Sequence, residues 1–199
     1  MKAYKGFTKE LTATRGKGVF QFAIGETVRT EKSKTVASGF HCCENPFECL
    51  TYYPLGDENR YLIVEAAGDI DEDGYERIAC TELTPIKELT IAEFALHGMK
   101  YMIEHPMRGN WEKRGNGVLV QKEVAEGSGN DFIVIARGDF PEAKGREGQI
   151  IGLIKEQGTG EIIDAKLFIV SKEQDGKWFT VNNRKIEEVS HEKESDRSA

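Results

Sequence analysis

The chain lacks an apolar run approaching the ~20 residues that span a bilayer, so a membrane is not expected among its partners. It also lacks a basic stripe. Residues 1–105 hold 12 Lys and Arg against 17 Asp and Glu, and residues 106–199 hold 15 against 17. With a net charge of −7 there is no cationic surface to displace counterions from a phosphate backbone, and nucleic acid is an unlikely partner. The opening Met1-Lys2-Ala3-Tyr4-Lys5-Gly6-Phe7 has positive charge but no apolar stretch behind it. A secretory signal is therefore not expected, and the protein is expected to stay in the cytoplasm. No Ser-His-Asp order, phosphate-binding loop or dinucleotide glycine motif occurs, and no cofactor is expected.

Cysteine is scarce and poorly spaced for metal. Cys42, Cys43, Cys49 and Cys80 all fall in the first half, two of them adjacent, and none forms the short paired spacing of a structural zinc site. In a reducing compartment such residues are expected as buried thiols. Neither metal nor disulfide is needed, because a chain of 199 residues buries roughly 70% of its unfolded surface on folding.

What is present is strand pattern. In the first half, residues 2–7, Val19 to Phe22, Thr35 to Cys43, Arg60 to Ala67 and Arg77 to Leu83 read as extended segments. A first helix is punctuated by Asn45 as cap, Pro46 at its first position and Glu48 three residues after the cap, and stops before Pro54. A second helix opens on the capping box Thr90-Ile91-Ala92-Glu93 and carries Ile91, Phe94, Ala95, Met99, Met102 and Ile103 as one stripe, ending at His105-Pro106.

Beyond Gly115 the character changes, with glycines separating Val118 to Val120, Phe132 to Ala136, Gln149 to Ile154 and Ile162 to Val170. Lys177 to Val181 and Lys185-Ile186 would form a hairpin around Asn182-Asn183. The expected fold class is α+β and strand-rich. An N-terminal mixed module with two helices covers 1–106, and a connector covers 107–115. A C-terminal β-stack or partial β-solenoid covers 116–189, and a disordered tail covers 190–199. Trp111, the large apolar residue of the connector, is expected to dock between the two modules.

Several segments together carry a family resemblance: Tyr4-Lys5-Gly6-Phe7, Phe20-Gln21-Phe22, Gly39-Phe40-His41-Cys42-Cys43-Glu44-Asn45-Pro46, Tyr52-Tyr53-Pro54 and Val64-Glu65-Ala66-Ala67-Gly68. The chain resembles an uncharacterised family found in phages and prophages. Gly160-Glu161-Ile162-Ile163-Asp164-Ala165-Lys166 and Trp178-Phe179-Thr180 are similar to that family's ending. The resemblance implies a bacterial host cell and a phage accessory protein that acts by binding a host or phage protein, such as a component of host defence. It brings no known activity, and no oligomeric state is set by the sequence.

A second resemblance gives the enzyme alternative. Tyr4-Lys5-Gly6 is similar to the Tyr-(Arg/His)-Gly motif of ADP-ribosyltransferase folds, with Lys5 in place of the usual Arg or His. It implies a nucleotide- or NAD-handling enzyme with His41 and Tyr52 in the site. Glu65 would be the carboxylate that stabilises an oxocarbenium-like transition state. Neither the Ser-Thr-Ser nor the Glu-x-Glu of such folds appears. On the residues alone, Tyr4, Phe40, Tyr52 and Tyr53 equally form an aromatic core with His41 at its edge, and non-enzymatic binding is the favoured reading.

Asp69, Asp71 and Asp73 followed by Gly74 match the start of a calcium loop, but its twelfth position is Cys80 where a bidentate Glu belongs. A solvated turn between two strands is expected there instead of a metal. With all four cysteines expected free, thiol titration of the unfolded, unreduced protein should give four groups. Two or fewer would mean disulfides.

Overall fold

The structure is a computed structural model that describes residues 1–14, 18–34, 37–72, 74, 77–107, 111–158 and 160–191. The chain separates into two compact units, Met1–Tyr101 and Met102–Ala199. Both are built mainly of strand.

The first unit contains β1 (Lys2–Phe7), β2 (Thr12–Ala13), β3 (Phe20–Gln21), β4 (Val28–Arg29) and β5 (Phe40–Cys43). A 3-10 helix (Pro46–Thr51), β6 (Arg60–Glu72), β7 (Arg77–Leu89) and α1 (Ile91–Glu104) follow. The pairings close on themselves: β1 lies between β5 and β6, β6 pairs with β7, and β7 pairs with β5. β4 adds at Leu83 and Glu82 of β7.

Two register shifts in the β6–β7 hairpin make this ring possible, one at Ile63/Val64 and one at Ala67/Ile70. At the second, Gly68 has φ +76°, and a Cβ there would meet Thr81 Oγ1 at 2.1 Å. Thr81 Oγ1 instead accepts from the Asp69 backbone N–H at 2.8 Å. Bulges bend a ribbon, so one half of the hairpin can pair with β1 and the other half with β5.

β1 alternates: Ala3 and Phe7 enter a core with Phe22, Cys42, Leu62, Val64, Ala66, Ile78, Cys80 and Leu83. On the opposite face Tyr61 stacks on Phe94 at 4.3 Å, and Phe47 meets Phe94 edge-on at 5.7 Å. The Tyr61 hydroxyl donates to the Tyr53 carbonyl at 2.7 Å.

The helix signals have identifiable atoms. Thr90 Oγ1 accepts from the Glu93 N–H at 3.2 Å and Glu93 Oε2 accepts from the Thr90 N–H at 2.9 Å. Glu93 also receives Lys87, and these bonds hold its carboxyl down at about 2. Asn45 Oδ1 accepts from the Phe47 N–H at 3.0 Å, but the helix it caps is 3-10 and not α. Between Pro46 and Pro54 there is too little chain for repeated i→i−4 bonds, and the tighter turn is the short-segment solution.

The second unit holds β8 (Lys113–Gly115), β9 (Val118–Glu126), β10 (Ile133–Lys144), β11 (Ile150–Gln157) and β12 (Glu161–Ile169). A 3-10 turn (Lys172–Gln174), β13 (Trp178–Asn182) and β14 (Lys185–Val189) complete it. β9, β10 and β11 are parallel and in register, with Ile133 flanked by Val118 and Ile150, and Val134 by Leu119 and Ile151.

The connections between these strands are far shorter than the helical crossover a parallel pair ordinarily needs. Gln149, 7% exposed, ties the two connections together. It accepts from the Arg146 N–H at 2.7 Å and donates to the carbonyls of Ser128 at 2.6 Å and Asp131 at 2.5 Å. Gly127 and Gly145 leave it room, since a Cβ at either would lie within 3.0 Å of Gln149 Oε1.

β12 runs antiparallel along β11, and β13 along the end of β10. The β13–β14 turn falls on Asn183-Arg184, both with positive φ, one residue beyond the Asn182-Asn183 expected from sequence. His191 Nε2 meets Glu142 Oε2 at 2.7 Å, and its ring lies 4.5 Å from that of Trp178. The rest of the expected tail, 192–199, lies outside the described residues, as do Thr35 and connector residues 108–110. Among the described residues no helix is long and apolar enough to cross a membrane.

Gly98 tests the packing of α1. A Cβ there would sit 2.4 to 2.7 Å from three atoms of the Phe47 ring. Ala is preferred over Gly in a helix by about 1 kcal/mol, but a rigid buried ring cannot yield. Gly98→Ala should therefore destabilise by roughly 1–3 kcal/mol in urea unfolding. Combining it with Phe47→Leu should recover part of that loss, which a simple propensity effect would not.

Candidate functional site

β1 and β5 are joined by a single register pair, Tyr4↔Cys43. Beyond it the strands part, and the opening is a cleft of about 360 Å³ within the first unit. Its walls are aromatic: Phe20, Phe22, Phe40, Tyr52 and Tyr53. Phe20 lies 4.9 Å from Phe22 and 5.2 Å from Phe40, tilted or edge-on, and Phe22 and Phe40 are 5.9 Å apart. Tyr53 packs directly over Gly6, where a Cβ would come within 2.7 Å of its ring.

Lys5 enters this aromatic wall from the core face of β1 and is only 9% exposed. Its ammonium donates to the His41 carbonyl at 2.7 Å, taking the place of a ladder bond where the strands separate. The same nitrogen lies 5.4 Å from the Phe7 ring centre and 5.8 Å from that of Phe22. No carboxylate among the described residues lines the cleft, while His41 and Arg77 do. Burial and the nearby Lys5 charge lower the His41 pKa below its ordinary value.

All four cysteines are buried and free. They fall into two pairs on opposite faces of β5, which is why they form no single ligand set. Cys42 bonds Cys80, and this bond together with burial pushes the Cys42 thiol well up. Cys49, paired with Cys43, is pushed well up by burial first and then by that bond. Cys80 is lowered by the bond from Cys42.

His41 and Tyr52 thus share the cleft, but Glu65 does not join them. It is exposed on β6, opposite Lys2 and Thr84, with the parity opposite to the buried Leu62, Val64 and Ala66. Asp69 and Asp71 lie within β6 and not in a turn, because the hairpin strand runs on to Glu72. Asp69 Oδ2 accepts from Ser33 Oγ at 2.9 Å. Asp73 lies outside the described residues. Among the described residues no cluster of three or more His, Cys, Asp or Glu is arranged for a metal.

A second cavity, about 300 Å³, belongs to the second unit and includes Trp111. There Arg137, with its side chain 7% exposed, pairs with Glu156, donates to the Pro106 carbonyl at 3.0 Å, and lies 5.3 Å from the Trp111 ring centre. Lys122, Glu112, Glu123 and Asp139 also line it, so this cavity mixes both signs.

Residues 1–97 match a family described as a domain of unknown function (DUF7666). The cleft lies wholly within that matched stretch. No curated protein and no solved structure matches the chain.

The cleft sets a pH dependence. His41 has an ordinary pKa of 6.5 and a lower one when folded. Below 6.5 the unfolded chain takes up a proton that the folded chain refuses, so stability should fall as pH drops from 6.5 through the folded value. His41→Asn should flatten this decline in urea unfolding. His97, lowered likewise by burial and Lys2, should supply slope that remains in the same window, before the lowered carboxylates Glu93, Glu88 and Glu173 add theirs below 4.5.

Proposed function

We propose that this protein acts by binding and not by catalysis, as an accessory protein of a phage or prophage, and that the N-terminal cleft holds an anionic group of its target. One observation carries the reading. Lys5 is a nearly buried cation in an aromatic cleft with no carboxylate among its described lining residues. Burying an ammonium with only a carbonyl and ring faces for company is costly, and an incoming anion relieves that cost. The anion is either free or presented by a host or phage protein, such as a component of host defence.

The alternative, a nucleotide- or NAD-handling enzyme related to ADP-ribosyltransferases, is favoured by the shared placement of His41 and Tyr52. It needs a carboxylate beside the leaving group, and Glu65 faces the other way. NAD turnover abolished by Glu65→Gln would favour it over binding.

The test is capture from infected host lysate with tagged wild-type protein and tagged Lys5→Met, with proteins and small molecules both analysed by mass spectrometry. Material retained by wild type and absent from Lys5→Met is the expected result; identical retention would sink the reading. The variant should stay folded, with stability within about 1 kcal/mol of wild type or above it, because replacing a buried charge by a similar apolar volume is often neutral or stabilising.

A further inference from the structure

Resting on the reading that the cleft binds an anion, we propose that its occupant is a free, planar aromatic anion no larger than a nucleoside monophosphate. Size argues first. At about 360 Å³ the cleft sits at the low end of the roughly 300–1,000 Å³ spanned by ligand pockets, which suits a compact molecule better than a dinucleotide or a protein loop.

Charge argues second. An ammonium has three donors, and Lys5 uses one, toward His41. The other two are available to oxygens of a carboxylate or phosphate, and Arg77 in the same wall has the same sign. The second unit's cavity, with its carboxylates, offers no such preference.

Shape argues third. Phe20, Phe22 and Phe40 already meet one another tilted or edge-on, the arrangement aromatic rings prefer. Phe20 remains 44% exposed although it lines the cleft, so ring surface is left for a further partner. The Lys5 nitrogen is 5.8 Å from the centre of the Phe22 ring, close enough for one small molecule to satisfy the cation and lay a ring against the aromatic wall. An aliphatic anion would satisfy the charge alone.

Isothermal titration of the full chain tests this with six probes: AMP, UMP, benzoate, hexanoate, inorganic phosphate and a short peptide ending in a phenylalanine carboxylate. At least one of AMP, UMP and benzoate should bind more tightly than hexanoate and phosphate. Lys5→Met should weaken it by roughly tenfold or more. Phe20→Ala, at a partly exposed position, should weaken it by roughly fivefold while the cooperative unfolding transition is kept.

Hexanoate binding as tightly as benzoate, or phosphate binding as tightly as the nucleotides, would overturn the aromatic assignment and leave the anion site standing. Binding of the peptide alone, or Lys5-dependent capture of a protein with no probe bound, would overturn the free-ligand assignment. No probe binding and no Lys5-dependent capture would remove both the inference and the reading beneath it.

Discussion

The contact between the Lys5 ammonium and the His41 carbonyl is where the first unit is joined with the fewest backbone bonds. The ring of strands closes through β1 and β5, yet those strands share one register pair, and a side chain does the work of the next ladder bond. The lysine contact at this junction places a cation inside the cleft. Phe7 and Phe22, whose ring faces attract a cation, make this position tolerable for a residue that is rarely buried.

The second unit pairs its buried polar groups within itself. Among its described residues the buried Arg137 pairs with Glu156 while its Nη1 is left without a hydrogen-bond partner, and the buried amide of Gln149 satisfies three backbone groups across two connections. A fully satisfied network such as that of Gln149 rigidifies a core.

Much of the local structure was legible. The Thr90–Glu93 box, the Asn45 cap and most strand centres are encoded by side chains acting on their own neighbours, which is what pattern reading detects. Strand lengths were less accessible: β6 and β7 run on past Ala67 and Leu83 through bulges that break the alternation. The acidic run at Asp69 and Asp71 imitated a metal loop because strand alternation and calcium ligation share a two-residue spacing. Closure of the ring depends on contacts far apart in sequence and left no local trace. Lys5 did leave one, since Ala3, Lys5 and Phe7 share a face on an alternating strand and a lysine between two inward apolar residues is an anomaly. Glu65 shows the converse, as it shares its parity with Tyr61, Ile63 and Ala67, the face of β6 turned away from Leu62, Val64 and Ala66.

The in-register parallel stacking of β9, β10 and β11 makes the second unit extensible. Each pass presents to the next an equivalent row of apolar side chains and backbone groups, so Val118, Ile133 and Ile150 are interchangeable layers in all but identity. A chain built this way can gain or lose a whole pass between β10 and β11 while every remaining strand keeps a neighbour of the same kind. Its length is set in steps of one pass, with the antiparallel strands β12 and β13 pairing at β11 and at the end of β10.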